Sequence, residues 1–167
     1  MLLLDTRPNA TLDNITSNTC KAFQVPVALV SLVDSHRQWF KSRHNFEARQ
    51  TGRVESFCAW TLLPRTPKVL LVQNASTDPR FRDNPLVVGH PRIKFYAGVP
   101  LIVDGHKLGT LCLIDYEAHE DFGAEKVRML QAFGNLVTAE ISQPAHHTYV
   151  IEGRRGGAGR TPVTCVK

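Results

Sequence analysis

The chain has 167 residues, of which 43% are hydrophobic and 21% are charged, as expected for a soluble globular protein with one buried core. Its four cysteines lie far apart and include no C-x-x-C pair, which argues against a zinc framework or a disulfide scaffold and favours the reducing cytoplasm. No apolar run approaches the length of a membrane span, and the opening residues lack the basic region of a signal peptide.

The net charge of +5 is distributed unevenly along the chain. The residues after Gln143 include four basic residues and one acidic residue, so they carry a surplus of +3 and leave +2 for the rest. Their Gly- and Arg-rich composition predicts a disordered tail at residues 143–167. Neither nucleic acid nor a membrane is expected as a partner.

The first third of the chain predicts a helix followed by two strands. Residues 1–10 form an irregular lead-in. Apolar residues then recur at helical spacing until Pro26 prevents further extension. The second strand alternates poorly between polar and apolar residues and contains Lys and Arg, which predicts a position at a sheet edge. The predicted elements are a helix at residues 11–24, strands at 27–34 and 37–44, and a loop at 45–54.

The middle of the chain predicts short elements separated by proline. Residues 55–63 favour a short helix that stops before Pro64. Residues 69–72 read as a third strand. The stretch 73–94 is long and irregular, and Asn84-Pro85 is suited to begin a helical turn within it.

A β-hairpin follows. Two apolar runs, Phe95–Val103 and His106–Asp115, flank Asp104-Gly105, which suits a two-residue type I′ turn. Both faces of the hairpin are largely apolar, which predicts a position between two layers. Pro100 lacks an N–H group, so the strand beside it should be short, bulged or missing at that point.

A two-residue turn sets the register of the hairpin. This register pairs Ala97 with Cys112 and Phe95 with Ile114 on one face. The small residues Ala97 and Cys112, with Phe95 below them, predict that a closely packed helix or a small ligand occupies that face.

The last predicted element is a helix at residues 123–142. Its apolar stripe comprises Val127, Leu130, Gly134, Val137 and Ile141. Further apolar residues, Leu136 among them, widen this stripe enough to serve both a sheet and a partner helix.

Five segments resemble motifs of the GAF domain in the order of that family. They are ESFCAWTL at 55–62, DPRF at 78–81, NPLV at 84–87, FYAGVPL at 95–101 and GTLCLID at 109–115. The resemblance implies an α+β, PAS-related fold over residues 11–142, with a central antiparallel sheet of five to six strands. It also implies that the N- and C-terminal helices cover one face and that a pocket lined by helix and loop lies on the other.

The same resemblance implies a non-enzymatic sensory or regulatory role in signal transduction. Such a domain would bind a small molecule, form a homodimer through its terminal helices, and act on an output kinase or cyclase in trans. Two alternatives are a dimerisation module that has lost its ligand and a fragment of a larger histidine kinase or cyclic-dinucleotide signalling protein.

The candidate pocket residues are aromatic, small or charged side chains of the matching segments, and for each of them core packing or a loop role is the ordinary alternative. They are Phe57, Cys58, Trp60, Asp78, Arg80, Phe81, Phe95, Tyr96, Ala97 and Cys112. A loop arginine such as Arg80 could hold a phosphate, whereas Asp78 suits a loop cap or an arginine partner.

The cysteines allow one chemical alternative. Ala59 follows Cys58, where bilin-binding relatives carry histidine, so no chromophore is expected and the cofactor is left unknown. A thiol-dependent methionine sulfoxide reductase would need Cys58 and Cys112 to meet across the pocket. We expect burial to raise the pKa of the Cys112 thiol. No catalytic residue and no metal ligand is therefore assigned.

Overall fold

The computed structural model describes residues 3–143. The predicted tail, apart from Gln143, and the first two residues of the lead-in lie outside the described residues. Between Leu3 and the first helix the chain is irregular, as predicted.

Ten elements follow one another within residues 3–143. They are α1 (Ala10–Phe23), β1 (Val27–Val33), β2 (Arg37–His44), β3 (Gln50–Gly52), α2 (Phe57–Thr61), β4 (Leu70–Val72), α3 (Pro85–Val88), β5 (Phe95–Val103), β6 (His106–Asp115) and α4 (Ala124–Ile141).

Side-chain caps start three of the four helices. The Asn9 carboxamide oxygen accepts from the N–H of Leu12 at 3.0 Å, and the Ser56 hydroxyl accepts from Ala59 at 3.1 Å. Asn84 caps α3 in the same way, with Pro85 at the first helical position. Each cap satisfies a backbone N–H that the helix itself leaves without a partner.

The six strands form one antiparallel sheet in the order β3-β2-β1-β6-β5-β4. One face of the sheet packs against α1 and α4, and the other carries α2 and α3. This arrangement confirms the predicted fold class and the placement of both terminal helices on one face. None of the helices in the described part of the chain combines the length and the apolar composition needed to cross a membrane.

The predicted stripe of α4 is confirmed. Leu130, Gly134, Val137 and Ile141 are buried against the sheet and α1. Gly134 allows a close approach, because a Cβ atom there would lie 2.7 Å from a methyl group of Val99.

Two predictions about the sheet edge were wrong. The predicted loop at 45–54 contains β3, whose three residues pair with the start of β2. β2 is therefore the second strand, and β3 forms the edge. This strand forms by backbone pairing with little burial of its side chains. The sequence Gln-Thr-Gly therefore carries no apolar alternation that would have predicted it.

The hairpin turn is confirmed, but its predicted register fails two residues beyond the turn. Val103 pairs with His106 and Ile102 with Lys107, as expected, yet Leu101 pairs with Gly109. Leu108 is therefore an extra residue, a β-bulge, in β6.

The bulge exchanges the faces of β6 relative to β5. Cys112 pairs with Gly98 rather than with Ala97. Phe95 and Ala97 face the terminal helices, whereas Tyr96 and Cys112 face α2. The predicted pairing of Ala97 with Cys112 on one face was therefore wrong by one residue.

The neighbouring strands accommodate Pro100 of β5 and Gly109 of β6. β4 pairs with β5 only from Gly98 to Tyr96, so no partner faces Pro100 on that side, as its missing N–H predicts. A Cβ atom on Gly109 would lie 1.9 Å from the carbonyl oxygen of Ser31, so only glycine lets β1 approach at the bulge.

Candidate functional site

The short helix α2 packs on the central strands of the sheet and carries three of the ten predicted site residues. Phe57, Cys58 and Thr61 point towards the sheet and are buried. Trp60 lies at the outer side and is 38% exposed. One turn of helix therefore presents a thiol and a hydroxyl inwards and an indole outwards.

An aromatic stack fills the space between α2 and the sheet. The ring centroids of Phe57 and Phe81 lie 4.3 Å apart, and those of Phe57 and Tyr96 lie 5.2 Å apart. The indole of Trp60 meets Phe81 edge-on at 5.4 Å. These rings pack closely, so this part of the predicted pocket is a filled hydrophobic core.

A chain of hydrogen bonds crosses this core. The hydroxyls of Thr61 and Tyr96 lie 3.0 Å apart, and the Tyr96 hydroxyl donates to the Cys58 sulfur at 3.4 Å. Gly98 leaves room for the tyrosine ring, since a Cβ atom there would lie 2.3 Å from the tyrosine oxygen. Burial, with charge on the neighbouring thiols, raises the pKa of Tyr96, so this phenol is a donor at neutral pH.

The two cysteines of the predicted site meet beneath α2. The sulfurs of Cys58 and Cys112 are 3.6 Å apart, and both side chains are buried. A hydrogen bond to Cys58, together with burial, raises the pKa of Cys112, in the expected direction. Because the bulge turns Cys112 towards α2, this thiol meets Cys58 of that helix and does not share a face with Ala97 of β5.

The pKa of Cys58 is shifted in the opposite direction to that of Cys112. Burial by itself raises the pKa of this thiol, but hydrogen bonds from surrounding donors outweigh burial and lower the pKa to about 7. In decreasing order of effect the donors are Cys112, Thr110, Tyr96 and Ser31. Donors that stabilise the thiolate favour ionisation even in a buried position.

Ser31 and Thr110 are polar residues that the sequence analysis missed. They pair across β1 and β6 and are fully buried. Within the described part of the chain, neither hydroxyl has a hydrogen-bond partner, and both lower the pKa of the nearby Cys58 thiol. A lone serine inside the apolar strand VALVSLV was the available signal.

Asp78 and Arg80 bind each other at the surface. The guanidinium donates to the carboxylate at 2.6 Å, and the Arg80 N–H donates to the same group at 2.9 Å. The hydrogen bonds and charge of Arg80 hold the pKa of Asp78 below its usual range. Asp78 therefore serves both as a loop cap and as the partner of an arginine. The Arg80 guanidinium is already bound to this carboxylate, so it is a weaker candidate for holding a phosphate.

Phe95 and Ala97 lie away from the other candidates. Both are on the face of the terminal helices, where the Phe95 ring lies 5.2 Å from Phe122 and 4.4 Å from His119. Their assignment to the pocket assumed that β5 and β6 pair without a bulge, which would put Ala97 opposite Cys112. The glycine at 109, inside a strand pattern, was the signal that could have indicated the bulge.

An open cleft of about 510 Å³ lies on the outer side of α2. Of the predicted site residues, it contains Trp60 alone. The lining residues are Ser35, His36, Arg53, Val54, Ser56, Ala59, Trp60 and Leu63. Val54 is 96% exposed and, with Trp60 and Leu63, forms an apolar part of the lining. We refer to this feature as the α2 cleft.

A second cavity, of about 370 Å³, lies between the lead-in and β2. The Lys41 ammonium group at this cavity already donates to the Thr6 hydroxyl and to the carbonyl oxygen of Arg7. The α2 cleft is therefore the better candidate for a ligand. Among the residues that the structure describes, no group of three or more His, Cys, Asp or Glu side chains could hold a metal ion.

Comparison with known proteins agrees with this architecture. The family model of the GAF domain matches residues 7–141. A cyclic di-GMP phosphodiesterase of Pseudomonas aeruginosa is 42% identical over 151 residues, which are 90% of this chain. The chain spans only 25% of the length of that relative.

Solved structures of low identity share the fold. The GAF domain of a phosphoenolpyruvate-protein phosphotransferase from Acinetobacter is 17% identical with a TM-score of 0.61, over 78% of this chain and 79% of that chain. A type II free methionine-R-sulfoxide reductase from Thermoplasma acidophilum is 10% identical with a TM-score of 0.63, over 78% and 89%. The chain belongs to the GAF domain family.

Proposed function

We propose that this chain is a non-enzymatic regulatory domain of a cytoplasmic signalling protein that controls cyclic di-GMP. The similarity to a cyclic di-GMP phosphodiesterase supports this proposal. Because the chain corresponds to a quarter of that relative and matches a GAF model over most of its own length, we assign it the sensing part. The phosphodiesterase activity is attributed to the remainder of such a protein, joined to this domain or acting in trans.

The observation that carries the sensing role is the α2 cleft. Trp60, Val54 and Leu63 offer an apolar surface. Arg53 and His36 line the same cleft. One guanidinium nitrogen of Arg53 donates to the carbonyl oxygen of Asp34, which leaves further N–H groups of this side chain as donors. This combination suits a flat, partly apolar molecule that carries an anionic group.

Ligand binding there would act through the position of α2. The inner side of this helix packs on β1, β5 and β6, and β5 and β6 in turn contact α4. A ligand that binds one position of α2 more tightly would shift the population of that position. The strands would transmit the change to the terminal helices, where an output partner would detect it.

The terminal helices support dimerisation as a second role. Leu136 on α4 is 56% exposed, although it belongs to the apolar stripe predicted to serve a partner helix. We propose a homodimer that buries this side chain.

The reductase alternative has weaker support. Cys58 and Cys112 are close enough for such chemistry, but α2 and the aromatic stack cover them. A free amino acid would have no path to the sulfurs in this arrangement.

The cleft is tested by a thermal shift screen of the full chain against nucleotides, cyclic dinucleotides and aromatic carboxylates. A ligand at 100 times its Kd stabilises the folded state by about 2.7 kcal/mol, which raises Tm by roughly 5–10 °C for a domain of this size. We expect one saturable ligand class with such a shift.

Matched surface variants locate the ligand. Val54→Asp puts a negative charge in the cleft and should abolish the shift without affecting folding, because Val54 is exposed. Val88→Asp is the control, since Val88 is 64% exposed on α3 and does not line the cleft. An equal shift in both variants would place the ligand elsewhere, and no shift with any compound would contradict the sensing role.

A further inference from the structure

Two thiols on different elements share one buried position. Cys58 belongs to the first turn of α2, and Cys112 lies in the middle of β6, with 3.6 Å between the sulfurs. A disulfide requires the sulfurs to be about 2 Å apart, so closure needs an approach of about 1.5 Å. A helix of five residues that is joined to loops at both ends is able to make that movement.

Hydrogen-bond donors around the pair favour ionisation of Cys58, and the burial of both sulfurs requires an oxidant as small as hydrogen peroxide. Tyr96 donates to the Cys58 sulfur, and the buried hydroxyls of Ser31 and Thr110, which have no hydrogen-bond partner among the described residues, lie close enough to lower the pKa of Cys58. Hydrogen bonds from Cys112 and from these hydroxyls lower the pKa of the Cys58 thiol against the effect of burial, which favours the nucleophilic thiolate form. Cys20, on the opposite face, has no such donors, and burial raises its pKa to about 11.

We propose that Cys58 and Cys112 form a redox modification site, a dithiol that a peroxide oxidises reversibly to a disulfide joining α2 to β6. This inference goes beyond the proposed function and does not depend on a ligand in the cleft.

The chemistry balances with a peroxide as the two-electron oxidant. The Cys58 thiolate attacks one peroxide oxygen, so that an S–O bond forms, the O–O bond breaks and the leaving hydroxide takes up a proton as water. The Cys112 thiol then attacks the sulfenic sulfur and gives up its proton to the departing hydroxide. The S–S bond forms, the S–O bond breaks, and the second hydroxide leaves as water. A dithiol reductant returns both thiols.

Disulfide formation would also change the α2 cleft. Ser56, Ala59 and Trp60 line the cleft from the same helix that carries Cys58. When α2 moves towards the sheet, these residues move with it. The redox state of the core would thereby alter the surface that a ligand or partner meets.

The test is a cysteine map of the full chain after treatment with hydrogen peroxide, followed by denaturation, alkylation and tryptic digestion. We expect a linked peptide pair containing Cys58 and Cys112, with the loss of two hydrogens, and its disappearance after treatment with dithiothreitol. Circular dichroism before quenching checks that the chain stays folded. If Cys58 and Cys112 are both recovered in the alkylated, unoxidised form at a peroxide dose that oxidises Cys165, the proposal is overturned.

Two variants separate the pair from general thiol oxidation. In Cys112→Ser the second step is blocked, so we expect a several-fold increase in sulfenic acid at Cys58, trapped with dimedone. Cys20→Ser is the matched control, because Cys20 is a buried thiol outside this site, and the yield of the linked peptide should not change. If Cys112→Ser fails to fold, the map of the unmodified sequence and the Cys20→Ser control still decide the question.

Discussion

The hydroxyl of Tyr96 offers a sharp test of how the core beneath α2 is stabilised. Tyr96 is fully buried, its oxygen is 3.0 Å from the Thr61 hydroxyl, and its O–H donates to the Cys58 sulfur at 3.4 Å. The change Tyr96→Phe removes this one oxygen and preserves the ring that stacks on Phe57. Any loss of stability therefore reports on hydrogen bonding and not on packing.

The expected magnitude follows from these two contacts. A neutral hydrogen bond contributes about 1 kcal/mol net, and a buried group left without a partner costs about 1–3 kcal/mol. The bond to sulfur is long and adds less. Because Thr61 is also fully buried, we expect Tyr96→Phe to lower the free energy of unfolding by about 1–3 kcal/mol.

A double-mutant cycle isolates the pair. Thr61→Val removes the partner hydroxyl at nearly constant volume, and the double variant removes both ends of the bond. We expect the double variant to be more stable than the sum of the two single changes indicates, by about 1 kcal/mol. Urea unfolding followed by far-UV circular dichroism measures all four proteins, and an unchanged m-value shows that two-state unfolding is retained.

One alternative would refute this reasoning. Thr61 lies in a helix, where its hydroxyl can turn to the carbonyl oxygen four residues earlier. If it does so when the phenol oxygen is removed, Tyr96→Phe would cost less than about 0.5 kcal/mol and the coupling energy would be near zero. The aromatic stack alone would then account for the stability of this core.

Three further predictions concern other parts of the molecule. Gly98→Ala should lower the free energy of unfolding by about 1–3 kcal/mol in urea titrations, because the new Cβ would lie 2.3 Å from the Tyr96 oxygen. An unchanged urea midpoint would contradict the close packing of Tyr96 against Gly98. Arg80 lowers the pKa of Asp78 below 3.8, so the ion pair stabilises the fold above about pH 4, and this contribution is lost as the pH falls through the folded-state pKa. The difference in unfolding free energy between the parent and Asp78→Asn should therefore shrink from pH 6 to about pH 3. A difference that stays constant over this range would show that the ion pair does not contribute to stability. Leu136→Glu should convert the proposed dimer to monomer in analytical ultracentrifugation, and an unaffected dimer would exclude the exposed side of α4 as the interface.

Much of the fold could be predicted from local patterns. The stripe of α4, the turn at Asp104-Gly105 and the start of α3 at Asn84 each depend on residues close together in the chain. Such signals depend on helical periodicity, on positive φ angles or on a cap, and nearby residues are sufficient to specify them.

The candidate site was predictable only in part, because residue type and spacing do not reveal which face a side chain occupies. The sequence proposed Cys58 and Tyr96 as pocket residues, and the structure places them together between the sheet and α2. It placed Ala97 and Phe95 with them because an undisturbed hairpin alternates without interruption. One extra residue, Leu108, reverses that alternation for the rest of β6.

The sequence by itself therefore determined the order of the elements apart from β3, the cores of both terminal helices and membership of the GAF family. Only the tertiary structure decided that Cys112 meets Cys58, that the aromatic residues fill the expected pocket, and that the open cleft lies on the other side of α2. The physical reason is that these contacts join residues far apart in the chain. Their geometry depends on a bulge beside Gly109, where the close approach of Ser31 leaves no room for a side chain.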